Sequence, residues 1–161
     1  VADVTVAEAH GFGLASVLSR AGADALGAAL GFAVGGGPIT SAGESLALWG
    51  TGPGQWLAHA PDAAPDWAER LDATLADLAA VVDQSSAYVL LTIAGADAQR
   101  LLQKGLPVDL VALAPGAIVV STIAHLGVIV HQAAPDRYDL AVFRSFAGTM
   151  REWLDVSIAS L

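Results

Sequence analysis

The sequence predicts an α+β fold with largely antiparallel sheets and flanking helices. Short apolar runs occur in pairs with turn chemistry between them, at residues 45–49 with 55–59 and at residues 116–125 with 127–133. Between these groups Trp67, Leu71, Leu75, Leu78 and Val82 stand three or four residues apart, the spacing of one helical face. Strands therefore come in groups with helices between them, a pattern that favours antiparallel pairing over alternating βαβ units.

Taken in order, Leu14, Val17, Leu18 and Ala21 follow helical spacing and predict a first helix, with residues 25–30 as a second short apolar segment. Gly35, Gly36, Gly37 and Pro38 end that segment. The runs 45–49 and 55–59 are apolar and aromatic, and Thr51-Gly52-Pro53-Gly54 supplies the turn of a hairpin. A polar loop spans residues 61–65, and the amphipathic helix follows from Trp67 to Val82. Residues 87–94 are rich in β-branched and aromatic side chains and read as a strand; residues 96–104 read as a helix closed by Gly105, with Pro107 preventing continuation. Two strands around Gly127, a turn at Pro135-Asp136, a strand over 138–143 and a helix over 145–158 complete the order. No linker or repeat divides the chain, so residues 1–161 are expected to form one domain.

Composition narrows the function classes. Of the 161 residues 55% are hydrophobic and 14% charged, whereas an ordinary soluble domain carries about 25% charged residues. Sixteen acidic residues against seven basic ones give a net charge of −9, and Lys104 is the only lysine, so no basic stripe exists to neutralise phosphates. Nucleic acid and anionic membrane surfaces are excluded as expected partners. The absence of cysteine excludes disulfides, thiolate catalysis and thiolate metal sites. Residues 25–43 and 110–135 lack Asp, Glu, Lys and Arg, but glycines and prolines interrupt both, so neither reads as a membrane-spanning helix. No basic region leads into an apolar run with a cleavage site, and the expected compartment is the cytoplasm.

Few residues invite a chemical role. Gly11-Phe12-Gly13-Leu14-Ala15-Ser16 begins like a dinucleotide-binding fingerprint, but its third position is Ser16 and no βαβ unit surrounds it, so it reads as a loop leading into a helix. Gly35-Gly36-Gly37 lacks the Lys-Ser/Thr of a phosphate loop and reads as a flexible turn. His10, His59, His125 and His131 show no zinc-site spacing; His125 and His131 lie in one apolar hairpin, where they could approach each other as a partly buried polar pair. Asp83-Gln84-Ser85-Ser86 reads as turn-making at a helix-to-strand junction. No Gly-x-Ser-x-Gly elbow surrounds any serine. Arg144 carries the fork that clamps carboxylates, and an ion pair with an acid of a neighbouring subunit is the preferred reading. Trp49, Trp56, Trp67 and Trp153 suit a core or an interface. No residue is assigned a catalytic, cofactor-binding or metal-ligating role.

A family resemblance lies mostly in the second half. Val82-Asp83-Gln84-Ser85, the run from Gly95-Ala96-Asp97 through Lys104-Gly105, Asp109-Leu110, Pro115-Gly116, Arg144-Ser145-Phe146-Ala147 and Trp153-Leu154 resemble, in order and spacing, the gamma subunit of heterotetrameric sarcosine oxidase. Leu48-Trp49 and Gly52-Pro53-Gly54-Gln55-Trp56-Leu57 are similar to that family's tryptophan-containing hairpin, while Leu106 and Gln55 stand where the family more often has a cysteine and an acid. The resemblance implies a fold like the folate-binding domain of aminomethyltransferases, in a subunit that binds neither flavin nor folate. It further implies partner alpha, beta and delta subunits. Alpha would hold NAD and tetrahydrofolate, beta would hold FAD, covalent FMN would lie at the alpha-beta interface, and delta would carry zinc.

The expected function is thus a non-catalytic structural subunit of a sarcosine oxidase complex. Its partners would demethylate sarcosine to glycine, transfer the one-carbon unit to tetrahydrofolate and form hydrogen peroxide. The low charge content agrees, since apolar surface on such a chain serves partner interfaces. Two rivals are a stand-alone folate-binding or aminomethyl-transferring module and a small nucleotide-binding protein using Gly11 and Gly13.

Overall fold

The computed structural model describes residues 1–161 and places two five-stranded antiparallel sheets in two compact units. One unit combines Val1–His10 with Ala87–Leu161, and the other is Gly11–Ser86. The elements run β1 (Thr5–Glu8), β2 (Gly13–Ser19), α1 (Ala23–Leu30), β3 (Thr40–Ala42), β4 (Ala47–Gly52), β5 (Gln55–Ala60), α2 (Trp67–Leu75) and β6 (Ala79–Asp83). They continue as β7 (Tyr88–Ala94), α3 (Ala98–Gln103), β8 (Ile118–Ile123), β9 (Leu126–Ala134), β10 (Arg137–Phe143) and α4 (Ala147–Ala159).

In the larger unit the strand order is β1-β7-β10-β9-β8. Side chains alternate across each strand, so Val89, Leu91 and Ile93 of β7 line up with Tyr138, Leu140 and Val142 of β10 and with Val128 and Val130 of β9. This face packs on Leu101 and Leu102 of α3 and on Met150 and Leu154 of α4. The chain enters α3 through Gly95, whose φ of +128° suits only glycine and whose Cα abuts the Asp3 backbone. There the Asp3 N–H donates to Asp97 Oδ2 at 2.8 Å. Arg151 of α4 pairs with Glu8 of β1. At the far end of α4, Lys104 Nζ donates to the carbonyls of Ser157 and Ser160 at 2.9 and 3.1 Å, placing a cation where the helix dipole favours one.

Two sequence expectations in this unit shift. The β8–β9 hairpin turns at Ala124 and His125, both with positive φ, because Ile123 pairs with Leu126; Gly127 lies within β9. A two-residue turn with both residues in the left-handed region matches strand twist, and the apolar alternation of β9 sets that register. Gly105 follows α3 as expected, yet its role is not a left-handed cap: a Cβ there would stand 2.5 Å from Cζ2 of Trp153.

In the smaller unit the order is β3-β4-β5-β2-β6. Ala15, Val17, Leu48, Trp56 and Ala58 form the sheet side of its core, against Leu26 of α1 and Leu71 and Leu75 of α2. The expected β4–β5 hairpin is present, with Pro53-Gly54 at its turn and Gly54 at φ +65°. The expected first helix is instead β2, a central strand paired with β5 and β6. It is buried at Leu14, Ala15 and Val17 on both faces, so its apolar run lacks the alternation that distinguishes strand from helix. The amphipathic helix is shorter than expected. α2 ends at Leu75, Ala76 takes a φ of 44°, and Leu78 and Val82 belong to a short turn and to β6, where Val81 pairs with Val17. Strands β1 and β3 are short and carry no strand pattern in the sequence, and β6 lies where helical spacing continues.

No helix is long and apolar enough to cross a membrane. The charge-poor segment 110–135 holds the β8–β9 hairpin, as its reading as paired strands implies.

Candidate functional site

The glycine pairs that invited a nucleotide reading sit in structural roles. Gly11-Phe12-Gly13 leads into a strand rather than a helix, so no free helix N-terminus presents its amides to a phosphate. Gly13 is small because the Trp67 ring lies directly over its Cα. The Gly35-Gly36-Gly37 turn is pinned rather than flexible: the Gly35 N–H donates to Ser41 Oγ at 2.8 Å, and the Gly35 carbonyl accepts from Trp56 Nε1 at 3.3 Å. Asp83-Gln84-Ser85-Ser86 joins β6 to β7, two strands rather than a helix and a strand. Its turn-making role holds, since the Ser85 N–H and hydroxyl both reach Asp83 Oδ1, at 2.9 and 2.7 Å, and the Leu14 N–H donates to Ser85 Oγ at 3.0 Å.

Trp49 and Trp56 are core residues, and Trp67 and Trp153 are half-buried. Arg144 donates from Nη2 to the Tyr88 carbonyl at 3.2 Å. Beside it Tyr88 and Phe143 stack with centroids 4.7 Å apart, and Phe143 and Phe146 are 45% and 41% exposed. His10 and His125 are exposed, and His59 holds its ring 5.3 Å from that of Trp49. His125 does not meet His131: it occupies the turn, while His131 stands well up β9 opposite Ile118 and Asp139.

The pairing His131 does make was not expected. Register places Thr92, Asp139, His131 and Ile118 in one row across β7, β10, β9 and β8. The Asp139 carboxylate, in a residue only 8% exposed, accepts from Thr92 Oγ1 at 2.7 Å and lies 3.3 Å from His131 Nδ1. Arg137 Nη2 stands 3.9 Å away. Burial alone would push the Asp139 carboxyl up, but the adjacent His131 imidazole and the hydrogen bond from Thr92, with the charge of Arg137, outweigh it and hold the group below the usual carboxylate range. Such a row can orient an imidazole and lock three strands in register. A carboxylate inside the apolar run of residues 138–143 was the one signal in the sequence that could have found it. No group of three or more histidine, cysteine, aspartate or glutamate side chains is placed to hold a metal ion.

The model of the sarcosine oxidase, gamma subunit family matches residues 13–160. The chain belongs to that family. Among solved structures this gamma-subunit-family chain is similar to heterotetrameric sarcosine oxidase from Corynebacterium sp. U-96 in complex with pyrrole 2-carboxylate. The TM-score is 0.87 at 21% identity, over 98% of this chain and 84% of that one. It is also similar to the glycine cleavage system aminomethyltransferase T from Bartonella henselae, with a TM-score of 0.69 at 16% identity over 95% of this chain. The gamma-family chain spans 45% of that aminomethyltransferase. At such identities the likeness is one of fold, and it bears out the expected α+β, aminomethyltransferase-like architecture. No curated protein matches the sequence.

Proposed function

We propose that this chain is a non-catalytic structural subunit of a heterotetrameric sarcosine oxidase, working as one module over residues 1–161 in the cytoplasm. Membership of the gamma subunit family over residues 13–160 carries the reading. In it, alpha, beta and delta subunits are the partners. FAD, FMN, NAD, tetrahydrofolate and zinc belong to them, and this chain contributes no catalytic, cofactor-binding or metal-ligating residue. The local geometry supports the division of labour: Ser85 and Arg144 bond backbone groups, and the Gly35 backbone is bonded by Ser41. The stacked Tyr88–Phe143 pair, with Phe143 45% exposed and the Arg144 guanidinium beside it, has the aromatic-and-arginine composition favoured at interface centres.

Co-expression tests it. A tagged chain is expected to retain flavin-containing partners through purification, and the assembly to oxidise sarcosine. Recovery only as a flavin-free monomer would count against the reading, and turnover of an amine or a methylated pterin by the chain alone would end it.

The aminomethyltransferase-like fold favours one second reading, a stand-alone folate-binding or aminomethyl-transferring module. Calorimetric titration of the chain with tetrahydrofolate separates the two, because only the second expects saturable heat.

A further inference from the structure

We infer that the Gly11–Ser86 unit carries a binding site for a small organic cation of the methylated-ammonium class. A cleft of about 680 Å³ opens between the end of α1, the β3–β4 turn and the first turns of α2, within the usual size of small-molecule sites, about 300–1,000 Å³. Phe32, Leu46 and Trp67 form its apolar walls, half-buried and packed on the unit's core. Both rings rest against glycines. A Cβ on Gly43 would stand 2.5 Å from Cδ1 of Phe32, and Trp67 rests on Gly13 in the same way. Both rings line the cleft.

Charge then selects the ligand. Glu44 and Asp62 line the cleft, and its one cation, Arg70, lies 3.2 Å from the carboxylate of Asp66, the residue just before α2. Two carboxylates are thus set against a guanidinium engaged elsewhere. An anion would be repelled there, whereas a cation gains the carboxylates and the aromatic lining of Trp67 and Phe32. This site uses residues of this chain alone and goes beyond the assembly reading, which stands or falls separately.

Titration of the full chain at low ionic strength with choline and with its neutral isostere 3,3-dimethylbutan-1-ol, followed by NMR shifts, tests the inference. Choline is expected to saturate, and the isostere to bind at least about fivefold more weakly, the size of an exposed cation–π and charge contribution. Glu44→Gln and Asp62→Asn, both at exposed positions where the fold is not at stake, are each expected to weaken choline by about threefold. Trp67→Leu should weaken it further, with circular dichroism reporting the fold, and Glu152→Gln on α4 should leave it unchanged. Absence of saturation, equal binding of the two isosteres, or unchanged affinity in both carboxylate variants would overturn it.

Discussion

The two units each set a five-stranded antiparallel sheet against helices, and they fill the space between in different ways. The unit built around β7 and β10 interdigitates long aliphatic side chains, with Leu91, Ile93, Leu101, Leu140 and Leu154 all buried. The Gly11–Ser86 unit has fewer long aliphatic core residues and leans more on aromatic rings and carbonyls pressed onto bare backbone, a device the first unit uses at Gly95 and Gly105. Trp67 lies on Gly13, Phe32 on Gly43, and the Gly37 carbonyl against Gly50. The aliphatic core of the first should therefore be sensitive to volume removed, and the glycine contacts, most numerous in the second, to volume added.

The contrast breaks first at Leu140. Leu140→Ala empties a fully buried position in a central strand and is expected to cost about 3–5 kcal/mol in urea denaturation. A loss below about 1 kcal/mol would mean that this core is loosely packed. Next comes Gly13→Ala, which drives a methyl into the Trp67 ring and should cost about 2–3 kcal/mol. If the contact is the cause, combining it with Trp67→Leu must recover part of the loss, as coupled neighbours do.

Asp139→Asn should cost about 2 kcal/mol near neutral pH, because His131 and Thr92 lose a charged acceptor. The sign of its pH dependence follows from the lowered carboxyl. The native group holds its charge to lower pH than the unfolded one, so its stabilisation is complete above the unfolded value and fades as pH falls through the native one. The gap between wild type and variant is thus expected to narrow on acidification, and a constant gap would show that the carboxylate's charge is not what matters. The smallest effect belongs to Gly127→Ala. Nothing lies within 4 Å of an added Cβ there and φ is not positive, so a change within about 0.5 kcal/mol, or a slight gain, is expected.

Which parts of the fold could be read in advance follows from how local the signal is, in both units. β7, β9 and β10 carry Val, Ile and Tyr at strand spacing between turn residues, and their positions follow within a residue or two. The Pro53-Gly54 hairpin was equally plain. β2 was not, because a short strand of Leu, Ala and Val buried on both sides satisfies helical spacing as well. The polar row of Thr92, Asp139 and His131 was invisible for another reason: the hydrogen bond from Thr92 to Asp139 joins residues 47 apart, and only strand order brings them together.

Local chemistry in the chain itself determined the α+β class, the Pro53-Gly54 hairpin, the lack of thiols and the family. Tertiary structure alone decided which strand lies beside which, that α2 yields to β6 after Leu75, and that Gly13, Gly43 and Gly105 are small because rings stand over them. Periodicity and turn propensity act over a few neighbouring residues, whereas register and close approach depend on what folds onto a segment from elsewhere in the chain.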